Sequence, residues 1–525
     1  MPFEAILSPI RLGQLEVPNR VVRASHLTHL TQYTRKGEVT ERFVAYHEAR
    51  ASGGVGLSIL ESATVERLVS PAPLDASSDR VVDGWGRVAE AVHAHGMRVF
   101  AQLYHGGNQA APVDGSAPWS ASTIPGWDLG IPAQAMTAGM IEHVAASFAA
   151  AAMRAEASGL DGIEVHGAHG YLIAQFLSPL TNRRSDDYGG PLDRRLRFAL
   201  EVLHAVRGAV RPGFPVGIRL SGDEKLAGGL DNAACIAIAQ HISESGLVDF
   251  IDLSAGVYQS MNKMIGSMNE PRGYELPDSV AVAREVAVPC IVTGRILTLH
   301  EADAIVARGD AAMVSMVRAT IADPNLVVRA IAGENPRPCI GCLQGCFGGL
   351  FVSDLGCTVN ATVGRESSRD DRDLGVADHQ RHVVVVGGGP SGLEAARVAA
   401  ARGHRVVLFE QSEQLGGQLR LARQTPDRGD IGLIVDWLVE EVTRLGVDLR
   451  LGEAVSPSSI QALGQVDPTA VGYLDGKGAS RSQRCCGPWP LVRRTNRQWL
   501  RHGGLTRRRS RCRGTRGRRG ARDVP

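Results

Sequence analysis

Gly162-Ile-Glu-Val165 runs into His166-Gly-Ala-His169-Gly-Tyr171-Leu, and the chain then passes through Gln175-Phe-Leu-Ser-Pro and Asn182 to Gly190 before the helical periodicity of Arg194 to Val210. A short apolar run, a polar loop and an amphipathic segment make one β-loop-α unit, and the next apolar run, Val216 to Leu220, opens another. Working outward in both directions gives the same alternation. After a turn at Pro18-Asn19 the runs are Val21-Val22, Gly56 to Leu60, Val99 to Leu103, Gly162 to Val165, Val216 to Leu220, Phe250 to Leu253, Cys290 to Val292 and Met313 to Met316. Ala-, Leu-, Glu- and Arg-rich segments such as His143 to Ala157 separate them. This pattern predicts an α/β fold with an N-terminal (β/α)8 TIM barrel over residues 1–335, whose chemistry gathers in the loops after the strands.

The loop after the fourth run holds the unusual residues. Two imidazoles three residues apart, His166 and His169, face the same way and could both hydrogen-bond one carbonyl oxygen. Tyr171, with an ordinary phenol pKa of ~10, is protonated at neutral pH and can donate a proton. Satisfied loop histidines beside a rim tyrosine, or a zinc pair, would read the same way from residue chemistry alone.

Downstream, Cys339-Ile-Gly-Cys342-Leu-Gln-Gly-Cys346 is answered by Cys357, four thiols that one short loop can wrap round a zinc ion or a cubane iron–sulfur cluster, with disulfides as the third option. Asn335-Pro-Arg-Pro338 breaks any helix ahead of them. Cys235 and Cys290 sit in apolar helix and strand contexts and read as packing residues. Past a polar linker at 365–380, His382-Val-Val-Val-Val386 leads into Gly387, Gly389 and Gly392, and Glu410 ends the following strand. Glycines there let the backbone approach a pyrophosphate at a helix N-terminus, while the acid accepts ribose hydroxyls, so residues 381–470 read as a partial Rossmann-like FAD/NAD(P)-binding domain. An acid at Glu410 also disfavours a 2′-phosphate at this site.

The net charge of +2 conceals an asymmetry: from Val471 to Pro525 fifteen Arg and one Lys face Asp475 and Asp523, a net +14, which leaves residues 1–470 at −12. An acidic body is poorly suited to nucleic acid or an anionic membrane, and neither partner is expected. The first residues carry no basic, apolar leader, and no run of ~18 apolar residues occurs, so the sequence reads as a soluble cytoplasmic protein. A reducing compartment keeps the clustered thiols free as ligands.

The string HGAHGYLIAQFLSPLTNRRSDDYGG, residues 166–190, resembles the old yellow enzyme family of flavoenzymes. The added cysteines and nucleotide unit resemble its long iron–sulfur branch, which holds 2,4-dienoyl-CoA reductase, the enoate reductases and trimethylamine dehydrogenase-like amine dehydrogenases. The resemblance covers about residues 5 to 470 and includes the order of its three parts. It implies FMN at the barrel mouth, with Ser25, His26 and Leu27 along the flavin, Gln102 at its pyrimidine edge and Arg219 near the N1/O2 end, where a cation stabilises the reduced flavin. Gly294-Arg295 and Val317-Arg318 match phosphate-binding loops seven and eight. It further implies that Cys339, Cys342, Cys346 and Cys357 bind one 4Fe-4S cluster within residues 336–364, and that Gly416-Gly417-Gln418 belongs to an FAD site.

Leu27 stands where the amine dehydrogenases carry the cysteine bonded to FMN, which implies a non-covalent flavin. His166, His169 and Tyr171 look like the carbonyl-anchoring pair and proton donor of ene reductases. The expected activity is therefore NAD(P)H-driven reduction of an activated C=C bond in an enone or enoyl small-molecule substrate, with an amine dehydrogenase or demethylase as the alternative. A truncated, non-catalytic flavoprotein or Arg-tailed binder is the contrasting class. Homo-oligomerisation and retention of FAD are left open. After Gln465-Val-Asp-Pro-Thr-Ala470 the family pattern of an Ala-Thr-Gly strand and a second Gly-rich unit gives way to the Arg-rich 471–525, which we read as an out-of-frame translation rather than a native basic tail.

Overall fold

Each of the eight apolar runs forms a strand: β1 (Val21–Arg23), β2 (Leu57–Ile59), β3 (Arg98–Tyr104), β4 (Gly162–His166), β5 (Val216–Ser221), β6 (Phe250–Ser254), β7 (Cys290–Val292) and β8 (Met313–Ser315). The computed structural model describes residues 3–31, 38–127, 130–369 and 374–456. Among these residues the eight strands run parallel in chain order, and β8 pairs with β1 to close the barrel. The register sets His166 opposite Arg219 and Arg219 opposite Asp252, so strands four to six bring their polar ends to one rim.

The inside of the ring is packed rather than open. Val22, Leu57, Ile59, Phe100, Phe250, Ile291 and Met313 meet Leu12 and Val17 from a hairpin of Ile10–Leu12 and Leu15–Val17. Full burial of each large side chain is worth about 1.5–3 kcal/mol. Glycine makes room for the two rings: a Cβ on Gly217 would lie 2.2 Å from the ring of Phe250, and one on Gly162 2.8 Å from that of Phe100. Outside, the helices bury their apolar stripes on the strands. The helix expected over 143–157 spans Ala138–Ala157, because Thr137 accepts a hydrogen bond from the Met140 amide and caps it earlier than the apolar period suggests. Its buried face is Ile141, Val144, Ala145, Phe148, Ala151, Ala152 and Ala155.

A second parallel sheet follows, formed among the described residues by β9 (His382–Val386), β10 (Arg405–Glu410) and β11 (Asp448–Leu451), with β10 in the middle. Helices Pro390–Ala401 and Leu433–Arg444 cover it through Leu393, Ala396, Ile434, Trp437 and Leu438. The cysteine loop packs on both bodies: Ile340 and Cys342 lie against this second core, while Cys346 and Cys357 lie against the barrel's. Trp437 Nε1 donates to the Asn335 carbonyl at 2.8 Å, and the guanidinium of Arg337 sits 4.6 Å from the centre of the Trp437 ring. In the connecting segment, Glu366 pairs with the fully buried Arg50 at 2.7 Å. Among the described residues no helix is long and apolar enough to cross a membrane. The Arg-rich segment 471–525, and with it the out-of-frame reading, lies outside the described residues.

Candidate active site

The loops after the strands enclose a cavity of about 620 Å³, within the usual ~300–1,000 Å³ range of small-molecule sites. Its wall includes Ser25, His26, Leu27, Gln102, Arg219, Arg295, Val317 and Arg318, together with His166, His169 and Tyr171. The site residues expected from six different strands therefore share one chamber, while Gly294 does not line it but lies against the wall residue Glu275.

The histidine pair is wired in series. His166 Nδ1 receives the Ala168 amide at 3.2 Å, so in a neutral ring Nε2 carries the hydrogen. That nitrogen lies 3.2 Å from His169 Nδ1, and His169 Nε2 in turn lies 2.8 Å from Ser254 Oγ. Each ring thus donates to the next group, and the rings meet edge-on with centroids 5.0 Å apart. Both stay neutral: burial lowers the pKa of each well below the histidine range, with Arg219 adding repulsion. The bend that permits this is local, since His169 adopts φ 60, a left-handed conformation uncommon for a residue with a Cβ. Tyr171 lies with its hydroxyl 2.8 Å from that of Tyr258 and its ring edge-on to His166 and Tyr104.

On β3, Gln102 is held at both ends, donating through Nε2 to Glu164 Oε1 at 2.6 Å and accepting from the Ser62 hydroxyl. Arg219 lies 3.4 Å from Asp252. Burial raises the pKa of both Glu164 and Asp252, while Arg219 favours their ionised forms. His26 bridges Arg23 at 3.0 Å and Tyr46 at 3.1 Å. In loop seven the guanidinium of Arg295 is engaged by Asp430 of the second domain and by the Glu270 carbonyl, so its charge is already countered. Arg318 donates to the Gly266 carbonyl at 2.6 Å and faces the cavity.

Buried polar atoms of the wall await a partner. Ser25 Oγ and Glu275 Oε2 have no hydrogen-bond partner among the described residues. A flavin mononucleotide, with a polar pyrimidine edge, ribityl hydroxyls and a phosphate, supplies such partners, and the residues fit it.

The four cysteines line a second, small cavity of about 20 Å³ with Arg318, Ile340 and Val359. One zinc ion would draw the sulfurs to ~2.3 Å from a single point. Among the described residues no three His, Cys, Asp or Glu side chains converge so closely. The same four thiols suit the iron–sulfur cluster that the motif resembles. Burial pushes the Cys346 and Cys357 thiols up, to about 12 and about 11, so a metal is needed to draw off their protons.

In the second domain, Gly387 has φ 102 and Gly389 caps the helix Pro390–Ala401. A Cβ on Gly392 would come within 1.9 Å of the Gly387 carbonyl oxygen, so the close turn requires glycine. Glu410 accepts from the Gly388 amide at 2.7 Å, tying strand end to loop. Gln418 follows Gly416, whose amide donates to the Gly388 carbonyl at 2.7 Å.

Sequence reasoning missed Ser62, Ser254, Tyr258 and Glu275. Ser254 and Tyr258 follow the sixth apolar run, and the rule that chemistry collects after strands would have found them. Glu275 carries no such signal, because it enters from the start of a helix.

The arrangement of barrel, cysteine loop and nucleotide unit has close parallels. Residues 5–336 match the NADH:flavin oxidoreductase / NADH oxidase family, and residues 382–458 match the FAD dependent oxidoreductase family. A NADH oxidase of Thermoanaerobacter brockii is 38% identical over 470 residues, covering 88% of this chain and 71% of that protein. The chain belongs to the NADH:flavin oxidoreductase / NADH oxidase family. Its place is in the old yellow enzyme grouping, in the iron–sulfur-containing branch that the motifs resemble, and it is an oxidoreductase. Another member, N,N-dimethylglycine/sarcosine dehydrogenase of Chromohalobacter salexigens, is 37% identical and covers 88% of this chain and 68% of its own length. Among solved structures, 2-naphthoyl-CoA reductase in complex with 2-naphthoyl-CoA superposes with a TM-score of 0.83 at 28% identity, over 88% of this chain and 72% of that one.

Proposed function

We propose that this oxidoreductase reduces the activated C=C bond of an enone or enoyl substrate, with NAD(P)H as the ultimate electron donor. The observation that carries this reading is the single cavity in which His166, His169 and Tyr171 stand with Arg219, Gln102 and Arg318. FMN bound there would supply the hydride. A 4Fe-4S cluster held by Cys339, Cys342, Cys346 and Cys357 would supply single-electron transfer between the two nucleotide sites.

The residues divide the remaining work. A substrate carbonyl takes the place of Ser254 Oγ as acceptor for His169 Nε2–H, while His166 donates into the back of His169. Hydrogen bonds in such a chain polarise one another, so the pair stabilises enolate charge on the carbonyl oxygen without either ring being cationic. Tyr171 gives its proton to the α-carbon, and Tyr258, 2.8 Å away, hands on a replacement. Arg219, with Asp252 and Glu164 behind it, holds positive charge at the flavin's pyrimidine end. Gly387, Gly389, Gly392 and the acid Glu410 would hold FAD in the second domain.

Single-turnover reoxidation of the reduced, full-length protein by an enone tests this. Tyr171→Phe should leave binding intact and slow turnover by about 10²–10⁴-fold, the ordinary weight of a positioned general acid. A rate unchanged in Tyr171→Phe contradicts the assignment. A second reading, oxidation of an N-methylated amine, is supported by the dimethylglycine/sarcosine dehydrogenase relative.

A further inference from the structure

The geometry points to Glu275 as the proton site of flavin binding: its carboxyl takes up one proton when the phosphate of FMN enters the cavity beside it. Glu275 is the one carboxylic acid among the described residues that line the 620 Å³ cavity. It is 3% exposed, and its Oε2 has no hydrogen-bond partner among the described residues. Its place in the wall is fixed by loop seven, since a Cβ on Gly294 would come within 2.9 Å of Glu275 Cβ. Glu275 therefore stands at the loop to which the phosphate is assigned.

The charges around it set the direction. Tyr274 bonds it from its own segment, Arg219 faces it from β5, Asp252 from β6, and Arg318 from the helix Val317–Ala322. Arg295, the remaining nearby cation, is occupied by Asp430. Burial raises the carboxyl pKa to about 7, against the pull of Tyr274, Arg219 and Arg318. A phosphate dianion drawn to Arg318 adds a like charge beside an ionised carboxylate, which favours the protonated acid still more strongly. Below pH 7 the acid already carries its proton and binding imports none. Above pH 7 a proton must accompany FMN, so affinity falls by up to about tenfold per pH unit. The second proton of a phosphate monoester leaves near ~6, so the window from pH 7 to 9 isolates the carboxyl. Neutral His166 and His169 do not titrate there.

This inference rests on the cavity being the FMN site. Flavin-stripped full-length protein is titrated with FMN and with riboflavin at pH 7, 8 and 9, following quenching of flavin fluorescence. The Kd for FMN should weaken with pH toward tenfold per unit, that for riboflavin should not, and Glu275→Gln should bind FMN as tightly at pH 9 as at pH 7. Equal pH slopes for FMN and riboflavin in the wild-type protein, or an unchanged FMN slope in Glu275→Gln, overturn the proton site while leaving the FMN site standing. No binding of either flavin at any pH overturns both.

Discussion

At the scale of single residues, the site depends on His169 holding a left-handed backbone, φ 60, while bonded on both ring nitrogens. Ser254→Ala removes the outer partner. The substrate carbonyl then displaces no competing acceptor, a difference of about 1 kcal/mol, so reoxidation by an enone should be up to about fivefold faster with flavin content unchanged, which stopped-flow absorbance measures. The imidazoles are held neutral by burial, so they impose no pH dependence on that half-reaction between pH 6 and 8; a limb with pKa near ~6.5 that vanishes in His166→Gln would contradict this. His166, His169 and Tyr171 were legible because three polar residues interrupt an apolar run at spacings that share a face. Ser254, at the end of the sixth strand, was readable but overlooked, whereas Glu275 was not readable, because its approach depends on where a later loop ends in space. Arg295 shows the same limit: its position after strand seven was readable, but its capture by Asp430 belongs to a contact made 135 residues away in the chain.

At the scale of elements, the cysteine loop joins two cores, with Cys342 on one and Cys346 and Cys357 on the other. Cys342→Ser should therefore lower iron and acid-labile sulfide per chain and also loosen the second domain. Iron assay with limited proteolysis checks both, and full iron content in the variant would count against a ligand role. The barrel strands carry a different constraint. Gly217→Ala would place a Cβ 2.2 Å from the Phe250 ring, and overpacking of this kind costs about 1–3 kcal/mol, visible as a lower unfolding midpoint with unchanged chemistry. The strands themselves were readable from apolar runs, since parallel strands buried on both faces show as continuous β-branched stretches. The true start of the helix at Ala138 was not, because the cap at Thr137 is a local hydrogen bond that periodicity does not register.

At the scale of the whole molecule, three buried histidines tie stability to pH. His47, His105 and His166 are at most 4% exposed, and burial lowers the pKa of each. Their folded-state pKa values lie below the unfolded ~6.5, so the stability they permit is present above that pH and is lost as pH falls, with a limiting slope of about 4 kcal/mol per pH unit once all three titrate in the unfolded chain. Chemical denaturation at pH 7, 6 and 5 should show it, and Gln at these positions should flatten the slope. The order of barrel and nucleotide unit was legible along the chain, and the two family matches follow that order. The direction of the chemistry was less so, because relatives that act on an acyl-CoA and on N-methylated amines share the scaffold. The most direct test is anaerobic: full-length protein reduced with dithionite is mixed with an enone or enoyl thioester, and oxidised protein is mixed with a secondary methylamine, following flavin absorbance in both. The account predicts rapid reoxidation by the unsaturated carbonyl and no bleaching by the amine. Bleaching by the amine, with no reoxidation by any enone or enoyl thioester, would contradict it.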